Sequence, residues 1–142
     1  MRILVATDGS RAGIAAVKFA AKLADGDRGS QLIVLTVDSN GSSPKPGPAG
    51  SAGAQKVLAG AARQVGRGSR QTRFQVIPAR GVDVPEVISR EADRLRADMV
   101  VVGSEGRDSL DEWVVGGTAL RLIYVARRPV TVVRAPRKRK VS

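Results

Sequence analysis

Short, continuous apolar runs alternate with stretches of helical spacing along this chain. Arg2 to Ala6 (RILVA) predicts a first strand. Ala12 to Ala24 follows, with apolar residues at Ala12, Ala16, Phe19, Ala20 and Leu23, the spacing of one helix face. Leu32 to Val37 is a second apolar strand, and Ser51 to Val65 a second helix with Val57, Leu58, Ala61, Ala62 and Val65 on one side. Arg73 to Ile77 alternates polar and apolar residues, as a strand at a sheet edge does. Asp83 to Leu95 carries a start signal: Asp83 is placed to cap, Pro85 sits in the first turn and Glu86 completes a capping-box spacing. Its Val84, Val87, Ile88 and Leu95 point one way. Met99 to Val102 is a fourth strand, Thr118 to Ala126 a last helix with Leu120, Ile123 and Tyr124 on its buried side, and Pro129 to Arg134 a fifth strand.

Apolar strands separated by amphipathic helices predict a doubly wound α/β fold, a parallel sheet with helices on both faces and right-handed crossovers. There is no internal repeat. Residues 38 to 53 (DSNGSSPKPGPAGSAG) are rich in Gly, Pro and Ser and predict a mobile loop. The domain is expected to span residues 1–136, followed by a basic, flexible tail at 137–142.

Composition narrows the chemistry. A chain of 142 residues fits one domain with a real core, and with 3% aromatic residues that core must be built from Val, Leu, Ile and Ala. With neither Cys nor His, disulfides, thiolate chemistry and a Ser-His-Asp triad are excluded, and any metal would be a hard cation held by oxygens, most naturally with phosphates. No dedicated metal ligand set stands out. No apolar run is long enough to span a bilayer, and the opening MRILVATDGS has no apolar core followed by a cleavage site, so a cytoplasmic location without membrane insertion is expected. The net charge of +11 favours anionic partners such as nucleotides, nucleic acid or acidic membrane surfaces; it is equally what a composition bias toward Arg would produce.

In such sheets ligands bind beyond the carboxyl ends of the strands, at the switch in strand order. Three segments fall there: Ala6-Thr7-Asp8-Gly9-Ser10, Val37-Asp38, and Gly103 to Thr118. Gly103 and Gly106 permit unusual dihedrals and expose backbone N–H groups. Gly116-Gly117-Thr118 opens a helix, whose N-terminus presents unpaired N–H groups to an anion. Together these suit a polyphosphate, with Arg107 as an added cation. The architectural alternative is two turns and a helix start with no ligand. Asp8 has two readings as well, an acceptor for ribose or adenine donors or a cap for the first helix, for which Ser10 is also suited. No P-loop, no G-x-G-x-x-G after the first strand and no G-x-S-x-G elbow is present. The acids Glu105, Asp108, Asp111 and Glu112 read as a solvated face rather than an acid/base pair.

These pieces together resemble the universal stress protein family, in its ATP-binding branch. RILVATDGS is similar to its first strand and turn, LIVLTVDS to its second strand, and GVDVPEVISREADRLRADMVVVGSEG to its third helix and fourth strand. Gly103-x-x-Gly106, nine residues and then Gly116 match its G-2x-G-9x-G-[ST] signature, at the right distance from RPVTVVR. The resemblance covers the chain except residues 38 to 72 and the tail. It implies strand order 3-2-1-4-5 and a homodimer whose fifth strands pair antiparallel, here through Val130, Thr131, Val132 and Val133. It also implies ATP, with Mg²⁺, as ligand: Ala6, Thr7, Asp8 and Val37 at adenine and ribose, and Gly103, Gly106, Gly116, Gly117 and Thr118 at the phosphates. Gly117 stands where the family carries Ser or Thr, and Glu105 and Asp108 sit in the phosphate loop.

Three functions follow as expectations. The first is an ATP-binding, homodimeric stress-response sensor or regulator, with at most slow hydrolysis because no general base stands out. The second is a nucleotide-free dimeric adapter, favoured by Gly117 and the loop acids. The third is weak, non-specific binding of nucleic acid or an acidic surface by Arg137, Lys138, Arg139 and Lys140, with few aromatic partners for base stacking.

Overall fold

Five strands and four helices alternate along the computed structural model, which describes residues 1–39, 50–66, 71–105 and 115–136. They are β1 (Arg2–Ala6), α1 (Arg11–Asp25), β2 (Gln31–Asp38), α2 (Ala52–Val65), β3 (Gln71–Pro78), α3 (Val84–Arg94), β4 (Met99–Gly103), α4 (Gly117–Val125) and β5 (Val130–Val133). The strands form one sheet in the order β3-β2-β1-β4-β5, every pair parallel. Register places Ala6 beside both Leu35 and Val102, so the strand ends carrying the predicted site lie level.

Strand alternation divides the core. Ile3, Val5, Leu32, Val34, Val76 and Val101 face α1 and α2, meeting Ala16, Val17, Ala20, Ala54 and Leu58. Leu4, Ala6, Ile33, Leu35, Ile77, Val100 and Val102 face α3 and α4, meeting Val87, Ile88, Ala92, Ala119 and Leu122. Both faces of β1, β2 and β4 are buried, which is why these strands read as unbroken apolar runs. β3 is an edge strand, as its alternation predicts.

The apolar faces of three helices need correction. Leu120, Ile123 and Tyr124, expected on the buried side of α4, are exposed at 46%, 50% and 81%; Ala119 and Leu122 are the residues buried against the sheet. Phe19 of α1 is likewise exposed, because the Ala-rich side of that helix is what fits closely on the strands. Ala62 of α2 faces outward, while Leu58, Ala61 and Val65 pack inward.

Capping also departs from expectation in one place. Ser10 caps α1 and Ser51 caps α2, each hydroxyl accepting from the N–H three residues on, at 3.1 and 3.2 Å. Asp83 occupies the N-cap position of α3 but makes no side-chain cap bond. Its carboxylate instead lies 3.4 Å from the Arg121 guanidinium of α4. A second pair, Arg128 with Asp93 at 3.1 Å, ties the turn before β5 to α3. Residues 40–49 of the expected mobile loop, and the tail from 137, lie outside the described residues.

Candidate functional site

The turn after β1 is built by short side chains. Thr7 is buried, and its N–H donates to the Leu35 carbonyl at 3.0 Å, holding the end of β1 against β2. The Thr7 hydroxyl accepts from the Gly9 N–H at 3.2 Å, and Asp8 Oδ1 accepts from the Ser10 N–H at 2.9 Å. Asp8 therefore fixes the turn, while Ser10 caps the helix; of the two capping candidates, Ser10 is the one used. Gly13 belongs to the same arrangement. A Cβ there would lie 2.7 Å from the Thr7 hydroxyl and 2.9 Å from Asp8 Oδ1, so any other residue would displace these side chains of the turn.

Gly103 ends β4 where the strand passes α1. A Cβ on it would stand 2.5 Å from the Ala12 carbonyl carbon and 2.7 Å from the Gly13 nitrogen. The glycine is thus demanded by strand-helix packing, independently of any ligand. Ser104 then reaches toward α4: its carbonyl accepts from the Gly116 N–H at 2.5 Å. Gly116 is the N-cap of α4 and makes no side-chain cap bond, so among the described residues no side chain caps the N–H groups at the start of the helix. Gly117, the first helical residue, has ordinary φ, and a Cβ added to it would meet nothing within 4 Å, so neither backbone strain nor crowding requires glycine there.

These elements surround a cleft of about 740 Å³ at the carboxyl ends of β1, β2 and β4, lined by Ala6, Thr7, Asp8, Val37, Gly103, Gly116, Gly117 and Thr118. The two remaining predicted site residues, Gly106 and Arg107, lie outside the described residues, as do Asp108, Asp111 and Glu112. Sequence reasoning missed the wall and rim: Val84 and Ile88 of α3, with Val102 and Val115, supply apolar surface, and Gly13, Thr36 and Ser104 polar or close backbone surface. The amphipathic pattern of α3 could signal that Ile88 is buried, but not that it borders a cleft.

The cleft has the size and make-up of a small-ligand site, an apolar wall with a few convergent polar groups. The start of α4 presents backbone N–H groups suited to an anion. The exposed Asp8 carboxylate lines the same cleft. Glu105 lines the same cleft, and its Oε2 is buried without a hydrogen-bond partner. Among the described residues no three acidic groups converge to hold a metal, so a cation here would need oxygens from a ligand. Asp38 is not part of the site. Its buried carboxylate accepts from the Ser51 N–H and hydroxyl at 2.8 and 3.1 Å and clamps the start of α2.

A doubly wound parallel sheet in this order, with a cleft at the carboxyl ends of its strands, defines an open-sheet α/β protein. The chain belongs to the universal stress protein family, whose model matches residues 1–134. Among solved structures, it is similar to the universal stress protein UspA from Lactobacillus plantarum, at 23% identity and TM-score 0.77, covering 94% of this chain and 97% of that one. A universal stress protein from Archaeoglobus fulgidus in complex with dAMP is 24% identical, TM-score 0.70, over 94% and 98% of the two chains. A universal stress protein in complex with cAMP is 20% identical, TM-score 0.73, over 96% and 98%. At these identities the likeness establishes the fold. No curated protein matches the chain.

Proposed function

We propose that this chain is an adenine-nucleotide-binding universal stress protein, a homodimeric sensor or regulator that takes ATP with Mg²⁺ in the cleft at the strand ends. The observation that carries the reading is the convergence of Ala6 to Asp8, Val37, Gly103 and the uncapped start of α4 on one cleft. The apolar wall suits the adenine ring, Asp8 the ribose hydroxyls, and the N–H groups from Gly117 onward the phosphates. Family relatives crystallised with dAMP and with cAMP support an adenine nucleotide as the ligand class. The proposed role is binding, with at most slow hydrolysis. Residues 1–136 would form the nucleotide-binding domain, with the basic tail after it.

The proposed dimer would use β5, an edge strand whose four residues are all half-buried in the single chain. A second reading, the nucleotide-free adapter, is favoured by Gly103, which packing alone explains, and by the exposed apolar side of α4.

The test is to purify the protein without added ligand, chromatograph its nucleotide content, and titrate ATP with Mg²⁺ by calorimetry beside Gly117→Asp. A Cβ at this position meets no neighbour and an acid in the first turn of α4 suits the helix dipole, so the fold should be retained while an anion is repelled. About one ATP per chain, weakened at least tenfold in the variant, is the expected outcome. No binding at millimolar ATP would leave the adapter reading.

A further inference from the structure

Charge is divided unevenly between the two faces of the sheet. α1 and α2 share one face, and these helices carry Arg11, Lys18, Lys22, Lys56 and Arg63 against a single acid, Asp25. α3 and α4 cover the other face, where Arg90, Arg94 and Arg121 are balanced by Glu86, Glu91 and Asp93. The ion pairs follow the same division: Arg94 with Glu91 and Arg121 with Asp83 both belong to the α3-α4 side. Among the described residues no acid pairs with Lys18, Lys22, Lys56 or Arg63.

Helical spacing sets these charges in outward rows. All five cations are exposed, while the buried residues of each helix lie against the sheet. Arg11 and Lys18, like Lys56 and Arg63, are seven residues apart, about 10 Å along one side of their helix, and Lys22 is one turn beyond Lys18. Two such rows side by side form a cationic band, which suits a polymer of negative charges. The chain after β5 returns to its edge. The Arg11 guanidinium donates to the Pro136 carbonyl, and the next four residues in sequence are Arg137, Lys138, Arg139 and Lys140.

What lies between the charges identifies the polymer. Apart from Phe19, the exposed uncharged residues of the two helices are Ala52, Gly53, Gln55, Ala59 and Ala62. A protein interface needs an apolar centre that loses its water, and a bilayer surface takes up several apolar side chains. A phosphate backbone needs only the cations, because its affinity comes from released counterions. With one exposed aromatic residue on the face, base stacking contributes little, which favours a duplex over a single strand.

We infer that the α1-α2 face is a binding surface for double-stranded nucleic acid, which it grips by the phosphate backbone without reading sequence. This does not depend on what the strand-end cleft holds.

The experiment follows the fluorescence anisotropy of a labelled mixed-sequence DNA duplex as the full chain is added, over a range of NaCl concentrations. Three variants each remove four cations, and circular dichroism verifies their folds. Lys18→Gln/Lys22→Gln/Lys56→Gln/Arg63→Gln strips the face. Arg90→Gln/Arg96→Gln/Arg121→Gln/Arg127→Gln strips positions outside it, and Arg137→Gln/Lys138→Gln/Arg139→Gln/Lys140→Gln strips the segment after Pro136. The face variant should bind about tenfold more weakly or worse. Its slope of log affinity against log salt should be smaller by about 3–4, since each phosphate contact contributes about 0.9. The second variant should keep the parent's slope. Equal losses in these two would mean that net charge alone attracts the duplex, and would overturn the assignment. So would a loss confined to the third variant, or a parent chain that binds phosphatidylserine vesicles but no duplex at low salt.

Discussion

Gly103 and Gly117 belong to one sequence signature but meet opposite surroundings. A methyl group on Gly103 would press into the backbone of Ala12 and Gly13, which cannot yield without moving α1 off the sheet. Gly103→Ala is expected to cost about 1–3 kcal/mol, the usual range for overpacking, with or without nucleotide. Urea melts of the nucleotide-free protein check this, and an unchanged midpoint would sink the packing account. Gly117 has open space around it. Gly117→Ser should leave stability equal or higher, since glycine is a poor helix residue. Its added hydroxyl should tighten ATP several-fold, about 1 kcal/mol for one hydrogen bond. Equal ATP affinity by calorimetry would place the phosphates away from the start of α4. The two glycines look alike in the sequence because their difference lies in residues about ninety positions away, in α1.

Among the elements, the helix starts separate side chains that look equivalent. Ser10 and Asp83 are both good N-cap types at the right positions. Ser10 makes the cap bond and also reaches the Glu105 carbonyl, whereas Asp83 turns to Arg121. Both members of that ion pair are more than half exposed, so the pair contributes little. Ser10→Ala is expected to lower stability by about 1 kcal/mol. Asp83→Ala should lower it by less than about 0.5 kcal/mol. Chemical denaturation distinguishes the two; equal losses would mean that Asp83 caps α3 in solution. α4 shows why the face of a short helix is hard to read. Ala119, Leu120, Leu122, Ile123, Tyr124 and Val125 leave it apolar on most sides, so periodicity does not choose a direction. Packing chooses it: the small Ala119 and the fully buried Leu122 fit against the sheet, leaving the larger Leu120, Ile123 and Tyr124 outside.

For the whole molecule, the consequence is an apolar surface beside an open sheet edge. The carbonyls of Pro129 and Val133 accept from β4, so strand alternation turns the N–H and C=O groups of Val130 and Val132 toward the open edge. An unpaired apolar edge is a liability unless it is covered. If the proposed antiparallel pairing covers it, the protein sediments as a dimer, and Val132→Pro, which removes an outward donor, shifts it to a monomer. A parent chain that sediments as a monomer at micromolar concentration would overturn the proposal. Among the described residues no helix is long and apolar enough to cross a membrane.

The sequence by itself determined the alternation of strands and helices, the burial of β1, β2 and β4 on both faces and the edge character of β3. Each of these is a local pattern of apolar residues, which a chain must satisfy whatever its neighbours are. It also marked the turns that line the cleft, because glycines and short polar residues after apolar strands are local signals. Tertiary structure alone decided that Gly103 serves packing, that α4 turns its large apolar residues outward and that Asp83 leaves its helix uncapped. It also decided that the Glu105 Oε2 is buried without a hydrogen-bond partner. These depend on contacts between segments far apart in the chain, whose distances no spacing along the sequence encodes.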